Sequence, residues 1–128
     1  MKLTTTEWID KAEGDWASAQ REVKARKSPN FDAACFHAQQ CIEKYLKARL
    51  EEAGLPIQKT HNLLILLNDV LSIEPTWSGL STDLGILTTY AVSFRYPGSS
   101  ANKAVAQDAL KRCRKIRQLI RGSFGLPV

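Results

Sequence analysis

The sequence predicts an all-α fold, an up-and-down bundle of four long helices plus one short buried helix. Three observations lead there. Apolar residues recur at three- and four-residue steps through four long segments. Proline and glycine fall between those segments, at Pro29, Gly54-Leu55-Pro56 and Pro97-Gly98. No stretch alternates apolar and polar residues as a half-buried strand does. The connections are short enough for neighbouring helices to run antiparallel.

The first helix is expected from about Glu7 to Arg26. Thr4-Thr5-Thr6 offers N-cap hydroxyls, and Trp8, Ala12, Trp16, Ala19 and Val23 form the inward line. Trp8 and Trp16 sit at core spacing and read as packing or interface residues. Lys27-Ser28-Pro29-Asn30 breaks the pattern. The second helix is expected over Phe31 to Ala53, closed by Gly54 and Pro56. Its inward stripe is Phe31, Ala34, Cys35, Ala38, Ile42, Tyr45 and Leu46. Beside it runs a polar stripe of Phe36, Gln40, Glu43 and Lys47, overlapped by His37, Gln40, Lys44 and Lys47. Glu43 and Lys47 form an i,i+4 pair, worth a few tenths of a kcal/mol on an exposed surface.

Gln58-Lys59-Thr60-His61-Asn62 is a polar loop that enters Leu63-Leu64-Ile65-Leu66-Leu67, a helix apolar all round and so expected between neighbours. Thr60 or Asn62 can cap it, and His61 is placed to bond a backbone carbonyl and lock the loop. Ser72 to Gly79 reads as connection. Ser81 is the expected cap of the fourth helix, with Leu84, Leu87, Ala91 and Phe94 inward, ending at Phe94-Arg95-Tyr96-Pro97-Gly98. Arg95 in that last turn can cap carbonyls, pair with Glu43 or grip phosphate. The fifth helix is expected from about Lys103 to Arg121, with Val105, Ala109, Cys113, Ile116 and Ile120 inward, its basic residues outward and a frayed tail after Gly122.

At 128 residues the chain reads as one domain, 1–128, with 44% apolar and 24% charged residues. No uncharged run is long enough to span a bilayer. The start lacks the apolar core of a signal peptide, so a cytoplasmic location is expected. Three cysteines at helical spacing read as reduced core residues, and two histidines 24 positions apart give no zinc spacing. Net charge is +5 and uneven: residues 95–128 hold eight Lys/Arg against one acid, whereas residues 1–94 hold ten against twelve. The basic end is either a footprint for phosphate or an acidic partner, or a solvated helix face. The sequence contains no glycine-rich phosphate loop, paired catalytic carboxylate or nucleophile motif, and no cofactor or metal is expected.

Phe36-His37-Ala38-Gln39-Gln40 through Glu43-Lys44-Tyr45-Leu46-Lys47-Ala48, then Lys59-Thr60-His61-Asn62-Leu63, then Arg95-Tyr96-Pro97, resembles the HEPN domain (higher eukaryotes and prokaryotes nucleotide-binding) in order and spacing. The resemblance covers essentially the whole chain. It implies a small helical bundle that dimerises. It also implies, for many bacterial members, a complex with a minimal nucleotidyltransferase, in some cases as a toxin–antitoxin pair, while other members are ribonucleases. Ribonuclease members carry an arginine followed four to six residues later by histidine. Here Arg95 has no histidine after it, and that motif would supply the proton-transfer group.

Three functions therefore stand at this point. The first is a non-catalytic nucleotide- or partner-binding module working with a nucleotidyltransferase-type protein. The second is a ribonuclease toxin. The third is a structural subunit binding RNA through the basic fifth helix. For the first, Gln40, Glu43, Lys44 and Lys47, with Lys59 and His61 at the loop and Arg95 and Tyr96 after the fourth helix, are expected to converge on one cleft for ATP or GTP. Lys47 and Arg95 would meet phosphate and Tyr96 would stack on the base. The competing reading makes the same groups an internal polar network tying three helices together.

Overall fold

The second helix, α2 (Phe31–Glu52), is the axis of the bundle, and each of the other four helices packs against it. The computed structural model describes residues 1–128 as α1 (Leu3–Lys24), α2, α3 (Leu63–Val70), α4 (Ser81–Ser93) and α5 (Lys103–Ser123), with no strand. The inward stripe of α2 is buried from Ala34 to Leu50, and Ala38, Cys41, Ile42, Tyr45 and Leu46 are wholly enclosed. Burying such aliphatic and aromatic side chains stabilises the fold by about 1.5–3 kcal/mol each. Asn30 caps α2, its side chain accepting from the Ala33 N–H, and Gly54 takes the left-handed φ of 72° just past its end.

The start of α1 differs from the expectation. The helix begins at Leu3, and the threonines lie inside it without capping it. Their hydroxyls are drawn instead to carboxylates at the far end of α2: Thr4 Oγ1 donates to Glu51 at 2.7 Å and Thr5 Oγ1 to Glu52 at 3.0 Å. The start of α1 thus meets the end of α2, which makes the pair antiparallel. Ser81 is likewise the first residue of α4 and caps nothing; a 3-10 turn over Pro75–Leu80 runs straight into the helix. That turn lies in the expected connection and buries Trp77 and Leu80. α3 is buried through Leu63, Leu66, Leu67 and Val70, but Leu64 and Ile65 face solvent, so it is not enclosed on all sides. The tail is held down as well: Phe124 and Leu126 pack on the core, and Arg121 Nε donates to the Pro127 carbonyl at 2.5 Å.

The basic residues of α5 also depart from the expectation. Four of them point to acids of the bundle. Arg112 bridges Asp83 (2.6 Å) and Asp108 (2.8 Å), Lys115 reaches Asp83 (2.8 Å), Arg117 holds Glu13 through two bonds of 2.8 and 2.6 Å, and Arg121 lies 3.6 Å from Glu13. Four of the seven basic residues of α5 are therefore neutralised within the chain.

These pairs make the fold acid-sensitive. Burial raises the Glu13 carboxyl, but bonds from Arg117 and Tyr45 outweigh it and hold the group below its usual 4.5. Asp83 is also pushed up by burial and pulled further down by Lys115 and Arg112, below its usual 3.8. For Asp108 the Arg112 bond is the main cause of the lowering. A folded-state pKa below the unfolded one adds stability that is complete above the unfolded value and is lost as pH falls through the folded value. Urea midpoints should be level from about pH 7 to about pH 5 and fall progressively below about pH 4. In Asp83→Asn the midpoint should fall less steeply, because one of the linked protons is removed.

Candidate functional site

The polar stripe of α2 divides into a buried half and an exposed half. Glu43 is the centre of the buried half, at 3% exposure. Its Oε2 accepts from Lys47 Nζ at 3.1 Å; its Oε1 accepts from Gln40 Nε2 at 3.2 Å, from Gln39 Nε2 at 3.3 Å, and lies 2.9 Å from His61 Nδ1. A carboxylate only accepts, so Nδ1 carries a proton and the Nε2 edge of His61 is left for solvent. That ring is 71% exposed. Lys47 is 7% exposed, and its ammonium stands 5.7 Å from the centre of the Trp8 ring. The i,i+4 pair of Glu43 and Lys47 is therefore a buried one.

The loop is locked by Gln39, a residue that the polar stripe by itself does not assign to the site. Its amide donates to the His61 carbonyl at 2.7 Å, so His61 is held through its backbone and its ring bonds a carboxylate, not a carbonyl as expected. Gln39 precedes Glu43 by four residues, one helical turn, and that spacing is the signal that could have found it. Asn62 caps α3 by accepting from the Leu64 N–H, and Thr60 Oγ1 accepts from the Asn62 N–H.

The other predicted residues do not join this cluster. Lys44 turns to α1, where Nζ meets Asp15 Oδ2 at 2.5 Å and His37 Nδ1 meets Oδ1 of the same residue at 2.8 Å. Lys59 is exposed and makes no bond. Arg95 does not pair with Glu43, and no carboxylate lies within ion-pair reach of it. It lies just past the end of α4, where its N–H donates to the Val92 carbonyl at 3.3 Å. Its guanidinium lies 5.8 Å from the centre of the Phe36 ring, which is itself edge-on to His37 at 5.4 Å. Gly98, at φ 95°, lets the chain turn away after Pro97. Tyr96 is 64% exposed.

Arg95, Phe36, Phe94 and Asp32 line an open depression of about 370 Å³ beside the start of α2. Asp32 is engaged there, its Oδ1 accepting from the Ala101 N–H at 2.6 Å. The buried half of the stripe is thus satisfied within the chain, and no enclosed side-chain donor or acceptor lacks a partner. Beside the exposed Phe36 of the stripe, the Arg95 guanidinium lies over the aromatic ring and makes no hydrogen bond or ion pair of its own. A guanidinium fork matches phosphate or carboxylate with two parallel bonds. An exposed tyrosine next to it offers a ring on which a base can stack.

A family model described as HEPN domain matches residues 5–123. Among curated proteins none matches the chain. Two solved structures share the fold. TT1696 from Thermus thermophilus superposes with a TM-score of 0.80 at 22% identity, over 94% of this chain and 98% of its own. ST0689, described as an archaeal HEPN homologue, does so with a TM-score of 0.74 at 22% identity, over 96% and 98%.

Proposed function

Since this chain belongs to the HEPN family, we propose that it is a non-catalytic binding module that takes a nucleotide such as ATP or GTP at the turn after α4. One observation carries this reading: Arg95 is laid on Phe36 with its fork free of any carboxylate, next to the exposed Tyr96. Arg95 meets phosphate and Tyr96 stacks on the base. His61 and Lys59 are exposed on the loop before α3 and supply further polar contacts. Gln40, Glu43 and Lys47 position that loop, and Lys44 serves the packing of α1. A binding role in place of RNA cleavage is supported by the sequence, which has no histidine after Arg95.

The chain acts beside a nucleotidyltransferase-type partner, as one half of a toxin–antitoxin pair. The shared chemistry supports this, because a nucleotide held here is the substrate class of such a partner. Self-association into a homodimer is supported by Leu64 and Ile65 on α3 and Val92 on α4, which leave apolar surface exposed.

Isothermal titration with ATP and with GTP tests the site, on wild type and on Arg95→Ala. The wild type should bind in the micromolar range. Arg95→Ala should weaken binding at least about tenfold, or about 1.4 kcal/mol, at an unchanged melting temperature because Arg95 is exposed. Heat that is absent for both nucleotides, or equal in the two proteins, overturns the reading.

A further inference from the structure

Two of the three α5 cations that meet no internal acid, Lys103 and Arg114, lie on one side of the helix. There an open groove of about 900 Å³ runs between the end of α1 and α5, with Lys24, Arg26, Lys103 and Arg114 on its walls and no acidic residue among its lining. None of the four has a carboxylate within ion-pair distance, in contrast to Arg112, Lys115, Arg117 and Arg121 further along or around the helix. The acids of the adjoining segments are turned to the backbone: Glu22 accepts from the Asn30 N–H at 2.7 Å and Asp32 from the Ala101 N–H at 2.6 Å.

Stability does not account for this arrangement. Like charges facing one another across a groove oppose folding. Lys103 opens α5, and the first turn holds no acid, so a cation occupies the end where the helix dipole favours an anion. Arg114 lies over the Trp16 ring, 5.6 Å from its centre, and its guanidinium makes no hydrogen bond or ion pair within the chain. The result is a concave stripe of unpaired positive charge, held open by the packing of α1 and α5.

We propose that this groove binds single-stranded nucleic acid through its phosphates. The inference does not rest on the Arg95 site. A positively charged groove that follows a backbone is the common means of holding a single strand. Its concavity disfavours a membrane surface, which is met by a projecting apolar face flanked by cations.

Fluorescence anisotropy with labelled oligouridine, over a series of KCl concentrations, tests the proposal. If all four cations meet phosphates, log affinity falls with log salt at a slope of about −3, from about 0.7 per contact on a single strand. Lys24→Glu combined with Lys103→Glu should weaken binding at least about tenfold and flatten the slope by about 1.4. Both side chains are exposed and unbonded, so circular dichroism should be unchanged. Lys11→Glu, an equal change of charge per site at an exposed position elsewhere on α1, should leave affinity within about twofold. Three results overturn the proposal: no binding at the lowest salt, Lys11→Glu as damaging as either groove substitution, or polyglutamate competing as well as RNA. The last would assign the groove to an acidic protein.

Discussion

Glu43→Ala should lower the stability of the fold by about 3–5 kcal/mol, the cost of breaking a buried ion pair from one side. Four side chains converge on this one carboxylate, and two of them, Gln39 and Lys47, are almost wholly enclosed. Truncation leaves the Lys47 ammonium buried with only the face of Trp8 for company. A cation over an aromatic ring recovers about 0.5–2 kcal/mol, which is less than the charge loses. His61 then loses its ring anchor, while its carbonyl stays bonded to Gln39. Removing both charges, as Glu43→Leu with Lys47→Met, should recover most of the loss, because a matched apolar pair has no desolvated charge to satisfy. Urea denaturation of the two variants reads the difference. A single-variant loss below about 1 kcal/mol would mean that water reaches the pair and that it behaves as a surface bridge.

Glu13→Ala should cost about 2–4 kcal/mol, somewhat less, because this carboxylate is about one-third exposed. It joins α1, α2 and α5 through one group. Arg117 holds it with two parallel bonds, and the phenol of Tyr45 donates to it at 2.6 Å. Tyr45 is fully enclosed, and its oxygen in turn accepts from Arg121 at 3.0 Å. After truncation Arg117, 12% exposed, keeps only its stacking on Trp16, at 5.2 Å. Tyr45→Phe removes two bonds, the one to Glu13 and the one from Arg121, and leaves the guanidinium–carboxylate pair, so it should cost only about 1–2 kcal/mol. Thermal melts of the two variants should preserve that order.

The helices were legible because each signal was local. Proline and glycine at 29, 54, 56, 97 and 98 set the breaks, and six of the seven residues of the α2 apolar stripe are buried, though Cys41, Ala48 and Leu50 extend the buried face beyond it. The polar groups were less legible because their partners are distant in sequence. Thr4 and Thr5 look like caps until the carboxylates of Glu51 and Glu52 arrive, 47 positions later. Arg117 looks like a surface cation, yet its acid lies 104 positions earlier. Helical spacing placed Lys44 on a stripe that overlaps that of Glu43 at Gln40 and Lys47, but α1 brings Asp15 to Lys44 and so turns it to a different neighbour. Periodicity shows which residues share a face; it does not show which element covers that face. Arg95 was legible as an arginine at the end of the fourth helix with three uses open to it, whereas its seat on Phe36 depends on how α4 crosses α2.

The central position of α2 ties local binding to the melting of the whole molecule. Because every other helix leans on it, no helix pair can open while the rest stays intact, and unfolding approaches a single all-or-none event. A ligand that touches the folded chain at Phe36, one turn into α2, therefore adds its binding free energy to that single transition. At one hundred times its dissociation constant, any such ligand delays denaturation by about 2.7 kcal/mol. The bundle thereby acts as a gauge of its own occupancy: a scan of melting temperature against a nucleotide library ranks ligands without a label, whichever of them the turn after α4 holds.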